Sequence, residues 1–353
     1  MHLANYQDTI SPERDTLIKL NLSWTKYFPA CSSEPWQVDG VVGTLVGDGY
    51  RRDRLIPIEN KTVVTDPWKG AENNRWLPVL EKHGLKFQPL TEVEWAVHTF
   101  ATPLTVIDRI FPEGINVPSM FKDRQIIHLP TVKTHGHATT TGAIKNAFGG
   151  LLREVRHHCH KHMHEVLVDL VLMQRELHPA MFAVMDGTVA GDGAGPRTMI
   201  PRIGNVILAS ADQVAIDAIA AKIMGFDPME IPYLRMCHER GLGVADPRQI
   251  EIVGDEVPEM NPKFVVKKSL VIWGDQMLRK GRLRFLEKIA LHSPLMVWAP
   301  FASNFYHDAL WYPTVGQRMI RAFERTAWGG LFRDYGRPSG PTPRPTTLQP
   351  NPT

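Results

Sequence analysis

The chemistry-bearing side chains of this 353-residue chain crowd into HLPTVKTHGHATTTGAIKNAFGG, residues 128–150. Lys133, His135, His137, Thr139, Thr140, Thr141, Lys145 and Asn146 bring ammonium, imidazole, hydroxyl and amide donors to one turn, and no carboxylate accompanies them. A strand-like run delivers Lys133 and His135 to a loop, and the threonines then offer caps for a helix starting near Gly142. Open N–H groups at a helix start, with lysine and hydroxyl donors around them, suit a phosphate or carboxylate. In such a site Lys133, Lys145, Asn146 and Thr139–Thr141 bind the anion. His135 is the natural acid/base, because its ordinary pKa lies nearest neutrality. The competing structural reading makes the threonines plain caps and the lysines solvated. GxxxxGK[ST] is absent, so this is not a P-loop.

Two later stretches supply carboxylates. VMDGTVAGDGAGPR (184–197) reads as a loop carrying Asp186 and Asp192, with glycines that let backbone approach a ligand. Its GxGxG is a weak dinucleotide signal, since Pro196 and Pro201 interrupt any helix after it. SADQVAIDAIAAKIMG (210–225) begins with the N-cap candidate Asp212 and carries Asp217 among alanines and isoleucines. A carboxylate on that apolar face needs a partner, for which Lys145 and Lys133 are candidates. Asp186 and Asp217 are expected to orient a histidine or lysine, or to hold a divalent cation. The tract RHHCHKHMHE (156–165) adds His158 and His162, an i, i+4 pair that on an α-helix could chelate a divalent metal. Adventitious metal binding, with one histidine of the tract turned towards the Lys133/His135 loop, is the alternative.

The elements that must position these residues follow an α/β rhythm. TLIKLNLSW, QIIHLPTV, MFAVMDG, NVILAS and QIEIVGD read as buried strands. HEVLVDLVLMQREL (164–177) and the segment 210–225 read as helices. The expected fold is a mainly parallel or mixed sheet with flanking helices, with ligands at the carboxyl ends of the strands. A domain over 1–257 is expected to be followed by a mostly helical, aromatic-rich basic extension over 258–335 and a disordered proline-rich tail over 336–353. Within the extension, DQMLRKGRLRFLEKIAL (275–291) is a helix candidate capped by Asp275.

Composition bounds the function classes. Net charge is +3, too small to call for nucleic acid, but residues 263–344 hold 14 Lys/Arg against 5 Asp/Glu, a local +9. That charge, interleaved with Trp298, Trp311, Tyr312 and Trp328, suits an anionic membrane surface. Packing of these aromatics on the core, or a homo-oligomer contact through 275–332, is the alternative. Three scattered cysteines leave no four-cysteine iron–sulfur or zinc site and fit a reducing cytosol. With no signal-peptide pattern, a cytoplasmic location, at most peripheral to a membrane, is expected.

The segment LPTVKTHGHATTTGAIKNAFGGLL resembles the central signature of the family known as domain of unknown function 362. A histidine region, VMDGTVAGDGAGP and ASADQVAIDAIAAKIMGFDP follow in that family's order. IKLNLSW is similar to its Ile-Lys-Pro-Asn opening, with Leu20 in place of the proline. The resemblance covers residues 17–254 and places Lys19, Asn21, Lys133, His135, Lys145, Asn146, Asp186, Asp212 and Asp217 on motif positions. It implies a site rather than a reaction. Relatives with ferredoxin-like cysteine motifs imply redox chemistry, for which this chain would need a separate redox protein partner. The expected function is therefore an enzyme acting on a small anionic molecule, by acid/base or partner-assisted redox chemistry. A non-catalytic protein that carries a cofactor or an iron–sulfur precursor is the alternative.

Overall fold

A computed structural model describes residues 1–335 apart from 63, 153, 280, 282–284 and 286–297. The expected tail over 336–353 and most of 280–297 therefore lie outside the described residues.

Among the described residues ten strands occur in chain order: β1 (Thr16–Lys19), β2 (Leu55–Glu59), β3 (Gln88–Pro89), β4 (Trp95–His98), β5 (Ile115–Pro118), β6 (Gln125–His128), β7 (Thr131–His135), β8 (Thr139–Thr140), β9 (Met181–Ala194) and β10 (Thr198–Ser210). Eight form one sheet, in the order β3-β2-β1-β6-β9-β7-β8, with β10 on the other side of β9. The contacts of β1 with β2 and β6, and of β9 with β6 and β7, are parallel, whereas β8 and β10 pair antiparallel. β4 and β5 form a separate antiparallel pair. The protein is thus an α/β fold built on a mixed, mostly parallel sheet, with a helical C-terminal region.

β1, β6 and β7 are buried along their whole length because helices cover both faces. Alternation sends Leu17 and Ile126 into one core, with Ile144, Phe148 and Val166. Ile18 and Ile127 go into the other, with Val38, Val42 and Trp76. The first core is closed by the helices Ala143–Leu151, Met163–Leu177 and Pro232–Glu239, the second by Pro35–Gly47 and Trp76–Lys82.

Three sequence expectations need correction. VMDGTVAGDGAGPR is largely strand: β9 runs through it and turns into β10. Its glycines serve strand packing. A side chain at Gly191 would press on Met199 and Lys133, and one at Gly195 would overlap the Thr134 carbonyl. QIEIVGD forms no strand; Ile252 and Val253 are exposed. Asp275 lies within its helix rather than at the start, because that helix runs from Leu270 to Arg279.

The helical C-terminal region packs back on the sheet. Trp311 and Tyr312 stand against Trp24, with ring centroids 6.1 and 5.0 Å away, and Trp328 lies 5.0 Å from Trp36. Phe332 stacks on Tyr27 at 3.7 Å. These aromatics therefore face the core; the side chain of Trp298 is outside the described ones. Among the described residues no helix is long and apolar enough to cross a membrane.

Candidate functional site

Parallel strands that end together leave their last residues facing the helix starts that follow, and here this edge is polar. Lys19 ends β1, Glu59 ends β2 and His128 ends β6, and all three are buried. The Lys19 ammonium donates to Glu59 Oε1 at 2.8 Å and to the Leu20 carbonyl at 2.6 Å. Glu59 Oε2 is buried without a hydrogen-bond partner among the described residues. Asn146 spans the gap between β1 and its own helix, donating to the Lys19 carbonyl at 3.0 Å. Asn60 donates to the Gly149 carbonyl at 2.9 Å, and Gly150 leaves room for Lys19, whose Cε would lie 3.3 Å from an added Cβ. Gly150 and the Gly149 carbonyl thus help the helix Ala143–Leu151 seat on this edge.

Lys133, in the middle of β7, is 1% exposed. Its three ammonium hydrogens have three acceptors: Asn21 Oδ1 at 2.5 Å, Thr131 Oγ1 at 2.6 Å and the Cys31 carbonyl at 2.8 Å. Burial pulls its pKa down to about 8, against the pull of acidic neighbours. Asn21 also reaches Asn146 at 3.3 Å, so Lys19, Asn21, Lys133 and Asn146 form one connected network.

His135 lies two residues further along β7, on the same face and about 7 Å away by strand rise. Its Nδ1 accepts the His137 backbone N–H at 3.1 Å. In the neutral ring this places the hydrogen on Nε2, for which no protein acceptor occurs among the described residues. Burial pushes its pKa well below the ordinary histidine value, and Lys145, His137, His160 and Lys133 push the same way. His137 and His160 stack at 4.8 Å, and the Lys145 ammonium lies 5.4 Å from the centre of the Phe148 ring. One histidine of the 156–165 tract does turn towards this loop.

The open helix start expected after Thr141 is closed from within. Asp217 Oδ1 accepts from Ala143 N at 2.6 Å and Oδ2 from Ile144 N at 3.3 Å. Burial raises the Asp217 pKa to about 7, partly offset by these amides. Its partners include backbone amides, whereas the Lys133 ammonium is engaged elsewhere. The threonines do not cap this helix: Thr139 and Thr140 form β8, Thr140 Oγ1 meets the Tyr233 hydroxyl at 3.1 Å, and Thr141 Oγ1 donates to the Thr131 carbonyl at 3.2 Å. Asp212 caps Gln213–Ile223 through Val214 N and Ala215 N. Asp192 is tied to Arg202 across the β9–β10 hairpin and accepts from Val265 N at 2.8 Å.

Asp186 sits apart from His135, under the C-terminal helices. It accepts from Thr188 N and Oγ1 at 2.7 Å each and from Trp36 Nε1 at 2.8 Å, and burial raises its pKa to about 6. Glu34 is buried nearby and accepts from Ala30 N at 3.0 Å and the Tyr27 hydroxyl at 3.3 Å. Burial first, then the Asp186 charge, pushes its pKa well up. Trp328 and Phe332 roof this carboxyl pair through Trp36 and Tyr27. Glu34, Glu59 and His128 escaped the sequence reading. His128 stood in plain view inside an apolar run; buried against Gln174 Oε1 at 2.7 Å, its pKa falls to about 3.

The His158/His162 pair does not share an α-helical face. Glu154–His162 winds as a 3₁₀ helix, where residues four apart lie about 120° apart. Among the described residues, no group of three or more His, Cys, Asp or Glu side chains is placed to hold a metal ion.

Comparison with known proteins places this edge in a family. The chain is 26% identical over 203 residues to a thylakoid-associated protein of Synechocystis sp., a match covering 54% of this chain and 60% of that protein. No solved structure matches. The family described as domain of unknown function (DUF362) matches residues 16–222, which include Lys19, Asn21, Lys133, His135, Asn146 and Asp217, and the chain belongs to it.

Proposed function

We propose that the protein binds a small anion, a carboxylate or a phosphate, beside His135 and acts on it by proton transfer. His135 carries this reading. Its imidazole is 6% exposed, its Nε2 hydrogen lacks a protein acceptor among the described residues, and its electrostatic neighbours are cationic or imidazole groups. An anion there accepts the Nε2–H and raises the depressed histidine pKa. On binding the ring takes up a proton at Nδ1, displacing the His137 N–H that this nitrogen accepts, and becomes the acid. Lys133 and Asn21 act as positioning residues behind it, and Asp217 holds the helix that presents Lys145.

The saturated ammonium of Lys133 favours a second reading, a non-catalytic binding protein whose lysine is purely architectural. Calorimetry with inorganic phosphate and with malonate, from pH 7.5 to 5.5, separates the two. An enzyme of the proposed kind binds one anion class with proton uptake, more tightly as pH falls below about 6.5. His135→Gln then loses the pH dependence, and Lys145→Gln weakens binding about tenfold, the scale of one charge-assisted hydrogen bond. Binding that His135→Gln leaves unchanged at every pH supports the non-catalytic protein, and no binding of either anion sinks both.

A further inference from the structure

The helices Trp298–Asn304, Phe305–Gly316 and Gln317–Phe323 run end to end, and the middle one is π-helical. That winding bonds residues five apart, so side chains spaced by five fall near one face, where α-helical winding would scatter them. Phe305, Leu310 and Val315 are five apart, and all three are exposed, at 53%, 49% and 39%. Phe301, at 71%, extends the row by one turn. The opposite face is fastened down. His307 and Gly316 are buried, Trp24 Nε1 donates to Asp308 Oδ1 at 2.6 Å, and the Tyr312 hydroxyl donates to the Tyr27 carbonyl at 3.0 Å.

Beyond Val315 the outward residues turn basic. Arg318, Arg321 and Arg325 are exposed, as is Arg333 on the next helix, Ala327–Asp334. Arg321, Arg325 and Arg333 line a concavity of about 600 Å³ with Thr326 and Glu324, three guanidinium groups against one carboxylate. Arg333 Nη1 donates to the Glu324 carbonyl at 2.5 Å, which fixes one wall.

We propose that this face docks on an anionic lipid surface. Phe301, Phe305, Leu310 and Val315 enter the interfacial layer while the arginine concavity takes lipid phosphates. An apolar row beside clustered arginines, on a helix pinned by its other face, is the composition of a helix that lies in a membrane interface. A second copy packed through the same face would match the apolar row but set arginine against arginine, whereas an anionic bilayer supplies both chemistries. The aromatics Trp311, Tyr312 and Trp328 are not part of this face, because they pack inward.

The test is co-sedimentation of the full chain with phosphatidylcholine vesicles, with and without phosphatidylglycerol, at low and high salt. Binding should need the anionic lipid, weaken with salt, drop about tenfold in the Arg321→Glu/Arg325→Glu double variant, and be lost in Phe301→Ser/Phe305→Ser. Circular dichroism checks that both variants fold; a misfolded pair is replaced by Leu310→Ser/Val315→Ser, with the same loss expected. No sedimentation of folded wild type with anionic vesicles at low salt overturns the proposal. So does a concentration-dependent dimer, seen without vesicles, that the same substitutions abolish. Inorganic phosphate that binds as tightly as the vesicles, with the phenylalanines dispensable, likewise overturns it in favour of a free-phosphate site.

Discussion

Gly142→Ala should destabilise the protein by about 3 kcal/mol, through a residue far away in sequence. The backbone at position 142 is extended, so no conformational freedom is at stake. What glycine provides is room: an added Cβ would overlap the Asp217 carboxylate. That carboxylate closes the start of Ala143–Leu151 by accepting from Ala143 and Ile144. Forcing it aside costs about 1–3 kcal/mol of overpacking and orphans two buried amides. Asp217→Ala should cost a similar amount by removing the acceptor outright. The two changes break the same contact, so the double variant should lose far less than the sum. Urea denaturation of the four proteins is the measurement. Additive losses, or a Gly142→Ala midpoint matching the wild type, would mean that Asp217 is not what shapes this turn.

The same turn shows how far the residues could be read before folding. The types were legible: a cluster of donors without a carboxylate does need an acceptor. Which acceptor was not, since Asp217 lies 74 residues on from Ala143 and arrives through tertiary packing. Apolar runs marked β1, β6 and β7 because burial on both faces leaves a continuous signal. Only the second half of β9, beyond MFAVMDG, was misread, because its sequence is small and acidic, the usual signature of a loop. Its glycines are there because β7 and β10 press against it, a demand that propensity does not register. The reverse error befell QIEIVGD, whose alternation is strand-like but which pairs with no sheet edge. Glu34 and Glu59 stand singly in unremarkable contexts, and only tertiary packing, at a helix start for one and at a strand end for the other, makes them neighbours of lysines.

Lys133→Met should be nearly neutral to stability at pH 7 and clearly destabilising at pH 10. Burial lowers the Lys133 pKa from 10.5 to about 8. Between those values the unfolded chain holds a proton that the native protein has shed, so wild-type stability rises with pH across the window. Below pH 8 the wild type carries the full cost of a buried ammonium, about 3 kcal/mol for a shift of this size. Methionine removes that cost but leaves Asn21 Oδ1, Thr131 Oγ1 and the Cys31 carbonyl without their donor, a penalty of similar scale that does not change with pH. Urea midpoints of the two proteins should therefore coincide near pH 7 and part by up to about 3 kcal/mol towards pH 10.5. A gap that stays constant with pH would show that Lys133 is not a strained buried cation. If the gap opens as expected, a lysine that adds nothing to stability at neutral pH is held by three acceptors two residues from His135. Anion affinity of Lys133→Met at pH 7, where both proteins are equally folded, then reads its positioning role free of any loss of structure.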